Sequence, residues 1–119
     1  MEDYLNIDIT GQLKDDKNIT INFGKFHSQS GAVVFTPGEI EMSADLVNQS
    51  ALIGTGHRDV RKAKEYISKI CNAITENPNF DLELFEIKVN GQKVNSKIDF
   101  LHTCIKEYKS WLQEKILSA

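Results

Sequence analysis

The sequence holds few of the residues that mark linkers, repeats and membrane segments. It has two prolines and seven glycines among 119 residues, which excludes collagen-like repeats and proline-rich linkers. No stretch approaches the roughly 20 apolar residues of a transmembrane helix, and the acidic N-terminus has no apolar run typical of a secretory signal. We therefore predict one domain over residues 1–119, located in the cytoplasm, with no membrane partner.

Cysteine and histidine are also scarce, and their spacing does not suggest a metal site. Cys71 and Cys104 form no Cys-x-x-Cys pair, and His27, His57 and His102 fall at no helical i, i+3 or i+4 spacing with them. We predict no metal, no cofactor, reduced thiols in the helical core, and histidines on loops and the surface.

Complete catalytic or nucleotide-binding motifs are missing as well. One segment could bind an anion through backbone amides and a helix N-terminus, and its residues are Gly54, Thr55, Gly56, His57, Arg58 and Arg61. It lacks the Gly-Lys-Ser/Thr ending of a Walker loop and the third glycine of a dinucleotide fingerprint. We favour a flexible loop with a helix cap, and the alternative is an anion-binding, nucleotide-binding or enzymatic domain. His27 and Ser28 are adjacent but lack the Gly-x-Ser-x-Gly elbow, so we predict no catalytic residue.

Apolar residues alternate with polar ones, or form short runs, in the first half of the chain. These patterns predict strands over residues 4–10, 19–23, 32–35 and 39–46. The polar segment 15–18 predicts a hairpin turn, and the segment 24–31 is interpreted as a polar connection.

The second half shows helical periodicity in two stretches. The first covers residues 58–76 and ends before Pro78, and the second follows Ser96, which forms a capping-box pattern with Asp99. Between them, residues 80–89 predict a strand with a bulge near Leu84, and Asn90-Gly91 predicts a type I′ hairpin to a short strand over 92–95.

The predicted element order is therefore β-β-β-β-α-β-β-α. Strands joined by short turns pair antiparallel, and the apolar stripes of both helices need a surface to cover. The order predicts an α+β fold, with a mostly antiparallel sheet and two amphipathic helices packed on one face.

Charge is distributed unevenly along the chain. Residues 1–50 hold eight acids and three bases, a balance of −5, and residues 51–76 hold five bases and three acids. The strand patterns place six acids on the sheet face away from the helices: Asp8, Glu39, Glu41, Asp45, Asp81 and Glu83. Such a face fits a basic partner, or else it is a solvated surface that opposes aggregation. Binding of nucleic acid by the basic first helix is disfavoured by the pI of 5.6 and by aromatics confined to apolar stripes.

These observations favour recognition over catalysis. Our leading hypothesis is a non-enzymatic protein-binding module, of the kind of a small bacterial immunity protein or inhibitor that neutralises a basic toxin such as a nuclease. One alternative is the small anion-binding or enzymatic domain described above. The other is a structural subunit that self-associates as a homodimer through an edge strand or the last helix.

Overall fold

A computed structural model describes residues 5–29, 32–38, 63–77 and 80–118 of the chain. The elements, in chain order, are β1 (Asn6–Leu13), β2 (Thr20–Gln29), β3 (Ala32–Pro37), α1 (Lys64–Glu76), β4 (Phe85–Val89), β5 (Gln92–Lys93) and α2 (Lys97–Ser118). The described strands form an antiparallel sheet in the order β3-β2-β1-β4-β5. The predicted α+β class is confirmed, whereas the strand predicted over 39–46 lies outside the described residues.

β2 is longer than the sequence pattern predicts. Residues 24–29 continue the strand, so the prediction of a polar connection over 24–31 was wrong in that part. The register of β2 against β1 shifts at Phe23, which forms a bulge, and Gly24 then takes a φ of 148°. The ring of Phe35 on β3 occupies the space above Gly24 where a side chain would lie. Glycine here allows a close approach within the sheet instead of ending the strand.

The segment before β4 differs from the prediction in a second way. Residues 82–84 form a turn, and β4 begins only at Phe85, so the strand predicted over 80–89 was wrong in its first half. The Asp81 carboxylate accepts a hydrogen bond from the Glu83 N–H at 2.9 Å, and this local bond favours a turn over a strand. Leu84, near which a bulge was predicted, is 45% exposed.

The hairpin after β4 is confirmed. Asn90 and Gly91 have φ values of 51° and 79°, as a type I′ turn requires, and they join β4 to β5. The Asn90 side chain also contacts β1, where its Oδ1 accepts a hydrogen bond from the Asp8 N–H at 2.9 Å. The turn therefore fastens this end of β4 to the centre of the sheet.

Both helices begin and end at the expected signals where the structure describes them. α1 ends at Glu76, directly before Asn77, and α2 starts after Ser96, whose Oγ accepts a hydrogen bond from the Asp99 N–H at 3.0 Å. The Asp99 carboxylate in turn accepts from the Asn95 N–H at 2.9 Å, one residue earlier than in the usual capping box. Residues 58–62 of the first predicted helix lie outside the described residues.

The two helices cover the same face of the sheet. Tyr66 of α1 packs edge-on against Phe26 of β2, and its hydroxyl accepts a hydrogen bond from the Phe35 N–H at 3.1 Å. Phe100 of α2 contacts Phe80, beside the start of β4. Each ring is buried, so the core lies between the helices and this one face of the sheet.

Gly11 provides a test of how tightly this core is packed. A methyl group at this position of β1 would collide with the ring of Phe23, and the Ile87 side chain leaves no other space. We expect Gly11→Ala to lower the free energy of unfolding by about 1 to 3 kcal/mol through overpacking, measured by urea denaturation. Thr10→Ala, on the opposite face of the same strand, is the control and should cost less. Equal stabilities of the two variants would contradict the tight contact between Gly11 and Phe23.

Candidate binding surfaces

The sheet face away from the helices was predicted to be acidic, but its described part carries both signs of charge. Its charged side chains are Asp8, Lys25, Glu86, Lys88 and Lys93. Lys25 lies 3.8 Å from the Asp8 carboxylate, and Lys93 lies 3.7 Å from that of Glu86. The prediction named the acids of this face and did not include the lysines that lie on neighbouring strands. Cross-strand pairing therefore offsets the acids on the described strands.

The six predicted partner-binding acids do not all come together. Asp8 lies beside Asn90 at the end of β4, whereas Asp81 and Glu83 belong to the turn that precedes the start of β4. The five residues of β4 separate these positions by roughly 17 Å. Glu39, Glu41 and Asp45 lie outside the described residues. A role of these acids in binding a partner stays a prediction.

The glycine loop and the histidine–serine pair have different outcomes. Residues 54–58 and Arg61, the predicted anion-binding segment, lie outside the described residues, so this alternative also stays a prediction. His27 and Ser28, predicted in a loop, lie on β2 and point to opposite faces of the sheet. The buried Ser28 hydroxyl accepts a hydrogen bond from the Leu5 N–H at 2.8 Å, and His27 Nε2 lies 3.0 Å from Thr36 Oγ1. Both side chains thus connect neighbouring strands.

Cys71 and Cys104 meet in the interface between the two helices, and their predicted core position is confirmed. Both are free thiols, both are fully buried, and the two side chains are in hydrogen-bond contact. Burial, and to a lesser degree the adjacent Cys104, raises the pKa of the Cys71 thiol well above its ordinary value. Among the described residues, no group of three or more histidine, cysteine or acidic side chains could hold a metal.

α1 and α2 run in opposite directions. The Tyr108 hydroxyl of α2 accepts a hydrogen bond from the Ala63 N–H at the start of α1, at 3.2 Å. Cys71, eight residues after Ala63, meets Cys104, four residues before Tyr108. This arrangement leaves an open groove between the outer sides of the helices, with a volume of about 590 Å³. The groove is lined by Lys64, Ser68, Leu101, His102, Ile105, Lys106, Lys109, Ser110 and Gln113. Its volume falls within the range of about 300–1,000 Å³ that is typical of ligand sites.

The charged residues among the described lining of the groove are three lysines, and His102 lies beside them. Lys64, Lys106 and Lys109 are exposed, and no carboxylate belongs to its lining among the described residues. Two acidic side chains of the same helices have partners outside the groove. Glu65 lies 3.5 Å from Lys69, and Glu107 accepts a hydrogen bond from Gln92 of β5 at 3.0 Å, on the other side of α2. The groove therefore concentrates positive charge in a chain whose net charge is −3.

The groove lysines differ from three other lysines of the chain in their ion pairs. Lys25, Lys69 and Lys93 each lie within 4 Å of a carboxylate. Within the described parts of the chain, no such ion pair involves Lys64, Lys106 or Lys109.

The sequence analysis considered the basic residues of the first helix alone and missed this groove. The missed signal is a second stripe on α2, formed by His102, Lys106, Lys109 and Gln113 at spacings of three and four residues. The apolar stripe of α2 was recognised and the cationic stripe beside it was not. The cationic stripe becomes one side of a groove only because Lys64 of the neighbouring helix lies across from it.

Comparisons of the chain with protein-family models, with curated proteins and with solved structures give no match. None of the helices in the described residues is long and apolar enough to span a membrane.

The buried thiols provide a second test, of the interface beneath the groove. Native protein should react slowly with Ellman's reagent, because both thiols are enclosed, and should release two equivalents after denaturation. The pH dependence of stability tests the same thiols. The folded Cys71 keeps its proton at pH values where the unfolded thiol ionises. The contribution of Cys71 to the free energy of unfolding is therefore fully present below the ordinary cysteine pKa of about 8.5, and it decreases as the pH rises above that value. Urea denaturation between pH 7 and 10 measures the decrease, and Cys71→Ala should flatten it. In the Ellman's assay, rapid reaction of the native thiols would contradict the closed interface.

Proposed function

We propose that this protein is a non-enzymatic module that binds another protein, and that the groove between α1 and α2 is its binding surface. The observation that supports the proposal best is the combination of three exposed lysines with an apolar floor in one groove. The floor consists of Leu101 and Ile105, both partly buried against the core.

The lysines determine the charge of the partner. Lys64 on α1 and Lys106 and Lys109 on α2 place ammonium groups on both helices that line the groove. Like charges at such proximity repel one another, and an anionic partner removes that repulsion. Complementary charge also accelerates encounter and fixes the orientation of a complex. The expected partner therefore presents an acidic surface.

The floor supports a protein partner over a simple anion. Leu101 and Ile105 offer apolar area at the centre, and the lysines, Ser110 and Gln113 form a polar rim around it. An apolar centre with a polar rim is the usual anatomy of a protein–protein interface. A small inorganic anion would use the rim and leave the floor in contact with water.

A second candidate function keeps the basic partner that the sequence suggested. The balance of −5 over residues 1–50, and the predicted outward positions of Glu39, Glu41 and Asp45, favour an immunity-type inhibitor that neutralises a basic toxin such as a nuclease. This candidate rests on the sequence pattern.

The groove can be tested by charge reversal. We expect affinity purification from the native host to recover a partner with the wild-type protein, and to lose it with a K106E/K109E variant. The matched control, K17E/K88E, makes the same change in net charge at the exposed Lys17, in the turn between β1 and β2, and at the half-exposed Lys88 on β4, and it should retain the partner. Calorimetry with the purified partner should show at least a tenfold weaker Kd for K106E/K109E, and circular dichroism should show unchanged folding. Equal binding by the two variants would exclude the groove as the binding surface.

The second candidate calls for a different experiment. A toxin encoded beside this gene should be inhibited by the wild-type protein and released by a triple variant of Glu39→Gln, Glu41→Gln and Asp45→Asn, because the variant lacks the complementary charge. Toxin activity, with K106E/K109E as the control inhibitor, measures the effect. Full inhibition by the triple variant would remove this candidate.

A further inference from the structure

We infer that the segment bound by the groove is an acidic, amphipathic α-helix of the partner, lying along α2. This inference rests on the proposed function, because it names the partner segment of the same groove. It is supported by the length of the groove surface along α2, by an exposed isoleucine that extends the apolar floor, and by the lysines on both sides of the groove.

The apolar floor of the groove extends along α2 past the residues that line the groove. Ile98, in the first turn of α2, is 69% exposed, and it precedes Leu101 and Ile105 by three and seven residues. That spacing places the three side chains on one side of α2, next to the lysine stripe. A large apolar residue with this exposure contributes little to the core, and its alignment with the floor indicates a continuous apolar strip.

The length of this surface fits a helix of the partner. From Ile98 to Gln113 the surface follows α2 for 15 residue steps, or about 22 Å at 1.5 Å per residue. A partner helix of about four turns covers the same length. Its apolar residues at i, i+3, i+4 and i+7 form a ridge that matches the strip, which is the usual mode of helix recognition in a groove.

The shape of the groove supports the same occupant. Two helices packed side by side leave a furrow between their outer faces, and a third helix placed there contacts both at axis separations of about 8–10 Å. The lining residues come from both helices, with Lys64 and Ser68 from α1 and the others from α2. A helix in the furrow thus completes a three-helix layer over the sheet.

The lysines specify which residues flank the apolar ridge of the partner. Lys64 stands on one side of the furrow, and Lys106 and Lys109 stand on the other. Carboxylates on both flanks of the partner's ridge would meet an ammonium group on each side. Glutamate and aspartate three or four residues apart on a helix satisfy this requirement.

Nucleic acid and a lipid surface suit the groove less well. Its described lining residues include no aromatic side chain on which a base could stack, and the apolar strip has no counterpart on a phosphate backbone. Leu101 and Ile105 lie half-buried at the bottom of the furrow, where a flat bilayer surface does not reach them. A partner helix contacts both the strip and the lysines.

The test uses a fluorescently labelled synthetic peptide of about 16 residues, with leucines at i, i+3, i+4 and i+7 spacings and glutamates on both flanks. Its binding to the full chain is followed by fluorescence anisotropy. Three other probes are compared with it: a scrambled peptide of the same composition, a single-stranded oligonucleotide, and vesicles of anionic phosphatidylglycerol. We expect the amphipathic peptide to bind at least tenfold more tightly than the scrambled one. K106E/K109E should weaken its binding at least tenfold and Ile98→Ala at least threefold, with no comparable loss for K17E/K88E.

The outcomes separate this inference from the proposed function. If the scrambled peptide binds as well as the amphipathic one, or if the oligonucleotide or vesicles bind more tightly, the helical partner is excluded. The same holds if Ile98→Ala binds like wild type. If the peptide fails while K106E/K109E still loses the native partner, the inference falls and the proposed function stands. If the native partner is insensitive to K106E/K109E, the proposed function falls, and peptide binding alone would not restore it.

Discussion

The antiparallel contact between α1 and α2 is the interaction on which the other features of this protein depend. Cys71 and Cys104 meet at its centre, and the hydrogen bond from the Ala63 N–H to the Tyr108 hydroxyl fixes the start of α1 beside the later turns of α2. Because the two helices are held together, they cover the sheet as one layer. Because their outer sides diverge, they leave the cationic groove. A single interface thus determines both the core and the candidate binding surface.

The distribution of charge follows from the same arrangement. On the described strands, antiparallel pairing brings Lys25 to Asp8 and Lys93 to Glu86, so acids and bases offset one another. On the helices, Glu65 and Glu107 are engaged away from the groove, and its lysines are left without carboxylate partners among the described residues. The net negative charge of the chain therefore conceals a local positive surface. The net charge of the chain therefore did not predict that the candidate binding surface is positively charged.

Local signals in the sequence predicted much of the fold. The Asn90-Gly91 turn, the cap at Ser96 and the stop before Pro78 depend on residues within a few positions of one another, so the sequence contains their cause. Gly24 continues β2 because Phe35 of another strand covers it, and this contact cannot be seen in local periodicity. The turn before β4 combines the local hydrogen bond between Asp81 and Glu83 with the distant contacts of Phe80 to Phe23 and Phe100.

By itself, the sequence determined the α+β class, the described helices and the core position of both cysteines, because apolar periodicity decides which side of an element is buried. Only the tertiary structure decided which charges become neighbours. Asp8 has Lys25 opposite it through strand register, Asp81 and Glu83 lie at the far end of β4, and Lys64 joins Lys106 and Lys109 across two helices that are more than 20 residues apart in the chain. Charge–charge interactions depend on distance in space, and no pattern along the chain fixes that distance.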